Sequence, residues 1–416
     1  MRKSADVVIR MQPSSNYQRL YPNTIVWEEY QKYLPLAPFA DEVVEYLNAL
    51  SASLLKDRES RLYPDVITFA FFCRKGNILS QKEKYTLADV LRVGRGILFH
   101  IAPSNVPINF AYSLVAGMLA GNYNIVRVSS KQFLQVDLII KHMHLLNETN
   151  QYPAVAKSIV LVRYDRTSDA TAFFSSLAAV RVIWGGDTTI ATIRENKLLP
   201  RSYDVCFADR YSIAAIQPRA ILDADDAEIK KLAEKFYNDT YLFDQNACSA
   251  PHIIFWLKPQ ISEAELECAK TRFWAAVHHL AAEKYNLQAV LSVDKLTAFY
   301  RQSVNVDITR EEMPDNFVVR TKMNELPEEP DTFRCTGGYF SEKDINSLSE
   351  IAPIVTNRYQ TLAHYGISAE ELKEFVLVNH LVGLDRLVPM GETTAFALTW
   401  DGYNLIDTFS RVVTIY

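Results

Sequence analysis

From Gly94 onward the chain alternates short apolar runs with segments of helical periodicity. Residues 97–101, 124–128, 158–162 and 180–184 are short runs rich in Ile, Leu, Val, Phe and Trp. Between them, residues 108–119, 135–149 and 169–177 carry apolar side chains at helical spacing. Strands apolar on both sides must be covered on both sides, and the intervening helices do the covering. Strand–helix–strand units close as right-handed crossovers, so the pattern predicts a parallel, doubly wound α/β sheet. Ligands of such sheets bind beyond the C-terminal ends of the strands, where strand order switches. The loops after Ile101, Val128 and Trp184 are therefore the expected ligand loops.

A second alternating region follows. Residues 204–217 hold two strand-like runs, 225–240 a helix and 253–257 a strand; helices are expected over 262–285 and 293–301. Further strands are expected near 316–321 and 332–336, with an acidic, Pro-bearing loop at 325–331. A chain of 416 residues exceeds one ordinary core, so at least two domains are expected. Residues 1–218, completed by 380–416, would bind a cofactor, and 219–379 would carry the catalytic residues. Ahead of Gly94 we expect helices over 41–55 and from Pro64 to Gly76, and an aromatic N-terminal arm (Tyr17, Tyr21, Trp27, Tyr30, Tyr33, Phe39) that packs on the fold. The apolar tail should dock on the sheet or on a neighbouring subunit.

A net charge of −5 gives no sign of a nucleic-acid surface. The five cysteines are odd in number, scattered and never spaced Cys-x-x-Cys, which argues against a disulfide framework or zinc site and for reduced thiols. The polar N-terminus lacks the apolar stretch of a signal peptide, so a cytoplasmic location is expected. Residues 96–126 carry no Asp, Glu, Lys or Arg. Pro103, Asn105, Pro107, Asn109 and Asn122 make that stretch a buried core segment instead of a membrane span.

Four places can carry chemistry. Cys248, in Phe-Asp-Gln-Asn-Ala-Cys-Ser-Ala-Pro, stands between a helical segment and a strand, where a thiol nucleophile would be rigidly held; a buried structural Cys is the alternative. Asn105, bracketed by Pro103 and Pro107 at a strand end, could present its amide to a developing oxyanion, or merely form a turn. Arg127, Ser129, Ser130 and Lys131 follow a central strand where a ribose would sit, and their cations and hydroxyls suit a 2′-phosphate. Gly185 and Gly186 lie between a strand and a helix start, where backbone N–H groups can approach a pyrophosphate. His252 could assist the thiol or be a packed core residue. The pairs His142 with His144 and His278 with His279 point to different helix faces, and no metal site is expected.

Together these stretches resemble the aldehyde dehydrogenase superfamily. Ile-Ala-Pro-Ser-Asn-Val-Pro is similar to its Pro-Trp-Asn-Phe-Pro loop, and Ala120-Gly-Asn with Val126-Arg-Val-Ser-Ser to its Ala-Gly-Asn and Lys-Pro-Ser strand. Trp184-Gly-Gly resembles its Thr-Gly-Ser turn, and Asp244-Gln-Asn-Ala-Cys248 its Gly-Gln-x-Cys. Asp-Gln-Asn-Ala-Cys-Ser-Ala-Pro, Tyr359-Gln-Thr-Leu362 and the tail from Trp400 to Arg411 are more closely similar to the LuxC family of long-chain acyl-CoA reductases. The resemblance implies an aldehyde-dehydrogenase-like α/β fold and a thiol nucleophile at Cys248, with its own N–H and the Asn105 amide as oxyanion donors. It also implies cofactor contacts from Arg127, Ser129, Ser130, Gly185 and Gly186, and from Glu350 on the nicotinamide ribose. Ser130-Lys131 stands where many NAD-preferring members place a Glu, which favours NADPH over NADH. The water-activating Glu-Leu-Gly-Gly of oxidising members is missing near residues 205–210, in keeping with reduction of an acyl thioester instead of hydrolysis. An acyl-CoA or acyl-protein donor, self-association and an acyl-activating partner enzyme complete what the resemblance implies. Two other classes stay open on the residues: a cofactor-independent acyltransferase or thioesterase built on Cys248 and His252, and a non-catalytic scaffold.

Overall fold

The computed structural model describes residues 17–85, 90–259 and 261–416. The polar N-terminal segment before Tyr17, where no signal peptide is expected, lies outside the described residues. The chain divides into two compact units: the described residues up to Ala208 with Ala397–Tyr416, and Asp209–Phe396. The sequence boundaries at 218 and 379 differ from this division for a hydrogen-bonding reason. The strands Tyr211–Ile216 and Arg386–Pro389 both pair into the sheet of the second unit.

The first unit holds β1 (Gln18–Tyr21), β2 (Arg92–Gly94), β3 (Ile97–Ile101), β4 (Tyr123–Arg127), β5 (Ile159–Arg163), β6 (Val180–Trp184) and β7 (Tyr203–Phe207). All but β2 form one sheet in the order β1-β5-β4-β3-β6-β7, parallel except for β1. The helices Asn109–Leu119, Leu134–Glu148 and Ala170–Leu177 make the crossovers, within a residue or two of their expected bounds. Phe110 to Leu119 are buried without exception, so the charge-free stretch is core. No helix of the described residues is long and apolar enough to cross a membrane. The aromatic arm packs as expected: Trp27 and Tyr30 join Phe99, Phe173 and Phe174 in the sheet's core, and the Tyr30 hydroxyl donates to the Asn124 carbonyl at 3.0 Å. Gly76 ends no helix; it lies inside Lys75–Tyr85, which begins after Pro64–Phe72 has closed.

Ala120-Gly121-Asn122 is a joint. Gly121 has φ +85°, and a Cβ there would lie 2.1 Å from the Leu36 carbonyl oxygen, so only glycine fits. Asn122 Oδ1 accepts from the N–H groups of Arg95 (2.7 Å) and Gly96 (3.1 Å), while Nδ2 donates to the carbonyls of Gly117 (3.2 Å) and Phe409 (2.9 Å). One buried amide thus ties a helix end, the entry to β3 and the C-terminal segment. The tail docks through strand Ser410–Val412, which pairs antiparallel with β2 and not with the main sheet.

The second unit holds β8 (Tyr211–Ile216), β9 (Pro251–Leu257), β10 (Ile308–Arg310), β11 (Val319–Met323), β12 (Tyr339–Ile345), β13 (Tyr359–Tyr365) and β14 (Arg386–Pro389). Their order is β10-β11-β12-β9-β8-β13-β14, antiparallel only between β10 and β11. Both faces are buried: Ile254 and Trp256 pack with Phe236, Phe273 and Trp274, whereas Ile253 and Phe255 pack with Leu362 and Phe375. The strand expected at 332–336 does not form; the 3₁₀ turn Pro330–Phe333 occupies its first part and the true strand is β12. Its Glu342, Lys343 and Asp344 disguise it as a loop. Glu342 is nevertheless buried, taking hydrogen bonds from Arg320 Nη2 (3.1 Å) and Trp256 Nε1 (2.8 Å). Cross-strand partners make the charge tolerable in the core.

Candidate active site

Helix Asp226–Thr240, opened by an Asp225–Glu228 capping box, runs into the 3₁₀ turn Tyr241–Phe243 and then the loop that carries Cys248. Asp244 and Gln245 both adopt left-handed backbone, at φ +52° and +60°, a conformation costly for residues other than glycine. Hydrogen bonds hold them there. The Gln245 side chain is buried and donates Nε2 to the carbonyls of Pro251 (2.9 Å) and Tyr339 (3.1 Å); its Oε1 accepts from the N–H groups of Gly338 (3.0 Å) and Tyr339 (3.3 Å). Tyr285 donates its hydroxyl to Asp244 Oδ1 at 2.9 Å. The loop is therefore stapled to the starts of β9 and β12.

Cys248 precedes β9 at the N-terminal edge of the parallel strands, the edge opposite to the one the general rule for such sheets favours. Its carbonyl accepts from Ser212 Oγ at 2.6 Å, and Ser212 in turn accepts from the Thr361 N–H at 3.2 Å. The thiol points to Asp209 Oδ1 at 3.9 Å, and the same oxygen accepts from Arg334 Nη1 at 2.9 Å. Arg334 also donates to the Arg210 carbonyl and lies over the Tyr211 ring at 5.3 Å. His252 is buried, stacks on Tyr211 at 5.1 Å, and bonds the Cys335 carbonyl through Nδ1 at 3.0 Å. A carbonyl can only accept, so Nδ1 carries the proton of a neutral ring. Burial, aided by the Arg334 charge, pushes His252 down from 6.5 to about 3. It behaves as the packed core histidine of the two readings above.

In the first unit the chain winds from β3 through β4 to β5, then crosses back to place β6 on the other side of β3. The switch point thus lies between β3 and β6. The loops of Asn105, of 128–131 and of Gly185-Gly186 leave the C-terminal ends of β3, β4 and β6, three adjacent strands. Under them lies a buried polar chain: His100 Nδ1 to Ser113 Oγ (2.8 Å), His100 Nε2 to Asn124 Oδ1 (3.1 Å), and Trp184 Nε1 to Ser113 Oγ (3.1 Å). With Asn124 Nδ2 donating to the Asn122 carbonyl at 2.8 Å, Oδ1 must accept, so His100 is protonated on Nε2. Burial lowers its pKa from 6.5 to about 4.

Arg127 Nη2 donates to the Tyr164 carbonyl at 3.1 Å, Ser130 Oγ reaches the same oxygen at 3.4 Å, and Ser129 Oγ accepts from the Lys131 N–H at 3.1 Å. Arg163, the last residue of β5, donates Nε to the Ser129 carbonyl at 3.0 Å. Arg127 Nε and Arg163 Nη2 are buried with no hydrogen-bond partner among the described residues. Gly186 precedes helix Asp187–Arg194, and a Cβ built there would meet no protein atom within 4 Å. Unpaired buried donors beside exposed Lys131, and an open glycine at a helix start, suit an anionic ligand such as a dinucleotide phosphate.

Residues 76–412 match the family of acyl-CoA reductases named LuxC. The chain belongs to that family. A long-chain acyl-protein thioester reductase of Vibrio harveyi is 25% identical over 207 residues, 49% of this chain and 41% of the relative, so the match spans under half of that protein. Among solved structures, lactaldehyde dehydrogenase from Escherichia coli superposes with TM-score 0.61 at 12% identity, over 94% of this chain and 88% of that one. An NAD-dependent benzaldehyde dehydrogenase from Corynebacterium glutamicum gives TM-score 0.63 at 12% identity, over 92% and 86%. The fold is that of the aldehyde dehydrogenases.

All nine site residues expected from the sequence fall inside the LuxC match. Six of them gather on the three adjacent loops of the first unit, and Arg127 closes β4 beside them. Cys248 and Glu350 belong to the second, and there they part: Cys248 precedes β9, whereas Glu350 follows the far end of the neighbouring parallel strand β12. The Glu350 carboxylate is exposed and closes a capping box, accepting from the N–H groups of Asn346 (2.7 Å) and Ser347 (3.2 Å). Sequence reasoning missed Asp209, Ser212, Arg334 and Arg163. Arg163 could have been found, as a cation closing an apolar strand run beside Ser129. Asp209 and Arg334 lie far apart in sequence and meet only through the strand order. Among the described residues no cluster of His, Cys, Asp and Glu could hold a metal ion.

Proposed function

We propose that this LuxC-family chain reduces the acyl group of a long-chain thioester to the aldehyde, with Cys248 as the acyl acceptor and NADPH as the reductant. The observation that carries the proposal is a thiol held at a strand start by Ser212 and Gln245, facing a carboxylate that a guanidinium holds in place. Cys248 Sγ attacks the thioester carbon, the donor thiol departs, and the acyl group is left on the enzyme. We assign the Cys248 N–H and the Asn105 amide to the developing oxyanion; one such donor lowers a barrier by about 3 kcal/mol. When bound, the nicotinamide supplies the hydride that takes the acyl carbon to the aldehyde level. Sγ is then the leaving group as the aldehyde carbonyl forms, which restores the thiol.

Arg127, Ser129, Ser130, Lys131, Gly185 and Gly186 are assigned to the cofactor, joined by Arg163. Support for NADPH comes from the cations at the ends of β4 and β5, where no carboxylate takes the place of Ser130-Lys131 to receive a ribose diol. Glu350, whose Oε1 accepts from two backbone N–H groups, stays assigned to the nicotinamide ribose through its other oxygen. An acyl-CoA or acyl-protein donor, an acyl-activating partner and self-association extend the same proposal. The competing cofactor-free transferase needs His252 as a base, and burial beside the Arg334 charge makes its ring a weak one.

The test is intact mass after incubation with a long-chain acyl-CoA, without and then with NADPH. We expect one acyl group on the wild type, none on Cys248→Ala, and stoichiometric aldehyde release once NADPH is added. A wild type that never gains the acyl group, or an alanine variant that gains it equally, sinks the proposal.

A further inference from the structure

Asp209 Oδ1 is the acceptor toward which the Cys248 thiol points, at 3.9 Å, within reach for a sulfur donor. Its position is built. Arg334 holds the same oxygen at 2.9 Å, and Arg334 is itself held by the Arg210 carbonyl and the face of Tyr211.

The other titratable groups of these segments are committed elsewhere. Arg210 Nη2 bonds the Asp385 carboxylate (2.7 Å) and the Tyr359 carbonyl (2.6 Å), and Asp331 pairs with Arg358 at 3.4 Å. The Asp244 carboxylate takes the Tyr285 hydroxyl, and Lys295 donates to the Gly337 carbonyl at 2.7 Å. His252 gives its ring N–H to the Cys335 carbonyl. Asp209, held by Arg334, is the charged group the thiol faces.

We propose that Asp209 is the proton carrier of Cys248, taking the thiol proton as sulfur attacks and returning it to the departing thiol. The inference rests on the acyl-enzyme reading above. The step balances: the S–H bond breaks, an Sγ–C bond forms and the donor's C–S bond breaks. The proton passes from Sγ to an Asp209 oxygen and on to the leaving sulfur, with no change of oxidation state. A free thiol, with a pKa of about 8.5, is mostly protonated at neutral pH, so a base at the sulfur is what the first step lacks. Arg334 keeps the carboxylate in place at the sulfur's acceptor position.

Two electrophiles separate this role from a structural one. Wild type, Asp209→Asn and Asp209→Glu are each treated with a long-chain acyl-CoA and, separately, with iodoacetamide, and modification of Cys248 is followed by intact mass from about pH 6 to pH 9. Positioned proton transfer is worth about 10²-fold or more. We expect Asp209→Asn to lose about that factor in acylation at the acidic end and to recover it as pH rises. Asp209→Glu should keep most of the wild-type rate. Alkylation consumes thiolate and needs no proton for the leaving iodide, so the Asn variant, with Arg334 no longer neutralised, should alkylate at least as fast as wild type. Unchanged acylation in Asp209→Asn, or equal losses toward both electrophiles, overturns the proposal. If the wild type alkylates but takes no acyl group, the acyl-enzyme reading fails first and takes this inference with it.

Discussion

At the level of single residues, Cys248 depends on neighbours that constrain its backbone as much as its sulfur. Ser212 bridges the Cys248 carbonyl and the Thr361 N–H, joining the Cys248 loop to β8 and β13. Ser212→Ala leaves a half-buried carbonyl and a buried N–H without that partner, a loss of about 1–3 kcal/mol. We expect acylation of Cys248 to slow by about tenfold while the chain stays folded, read by intact mass beside circular dichroism. His252 makes a different prediction. Its folded-state pKa is depressed, so the unfolded chain binds a proton that the fold refuses. The resulting stability is fully present above about pH 6.5 and is lost as pH falls toward about 3, at about 1.4 kcal/mol per pH unit. His252→Gln should flatten the acid side of the urea-unfolding midpoint of the second unit. An unaltered pH slope would show that the ring is not held neutral.

At the level of elements, the loop before β9 is held in unfavourable backbone chiefly by the Gln245 amide, with Tyr285 on Asp244 beside it. Gln245→Leu removes four hydrogen bonds and strands the polar groups of Pro251, Gly338 and Tyr339. A destabilisation of about 3 kcal/mol follows, and labelling of Cys248 should fall further than in Ser212→Ala. In the first unit the counterpart is Gly121, where a methyl group would press on the Leu36 carbonyl. Gly121→Ala should lower the thermal midpoint by several degrees, and chains that melt like wild type would contradict the geometry. Signals of this kind were unevenly legible. The strands and crossover helices of the first unit stood out because both faces of its sheet are buried, making each strand a continuous apolar run. β12 was hidden by Glu342, whose charge is cancelled by Arg320 from the adjacent strand, a pairing that no local window contains.

At the level of the whole molecule, the polar loops of the first unit present cations and glycine backbone, whereas the second unit presents a thiol with its carboxylate. The cofactor preference belongs to this scale, since it sums charges from the ends of two strands. We expect NADPH to be used in preference to NADH, and Lys131→Glu combined with Arg163→Ala to weaken NADPH by about tenfold or more while sparing NADH. Binding followed by fluorescence on the Cys248→Ala chain measures this without turnover; equal weakening of both cofactors would remove Lys131 and Arg163 from the 2′-phosphate.

What the sequence determined by itself is whatever rests on local patterns: the doubly wound sheet, the loops after Ile101, Val128 and Trp184 as candidates for a ligand, and Cys248 as the thiol to test. Those features repeat within a few residues, so periodicity and turn chemistry expose them. Only the tertiary structure brought Asp209, Arg334 and Ser212 to the Cys248 loop and gave Glu350 a capping task beyond the other end of the sheet. Strand order decides those placements, because β9 lies between β12 and β8 while the three strands are separated by whole helices along the chain.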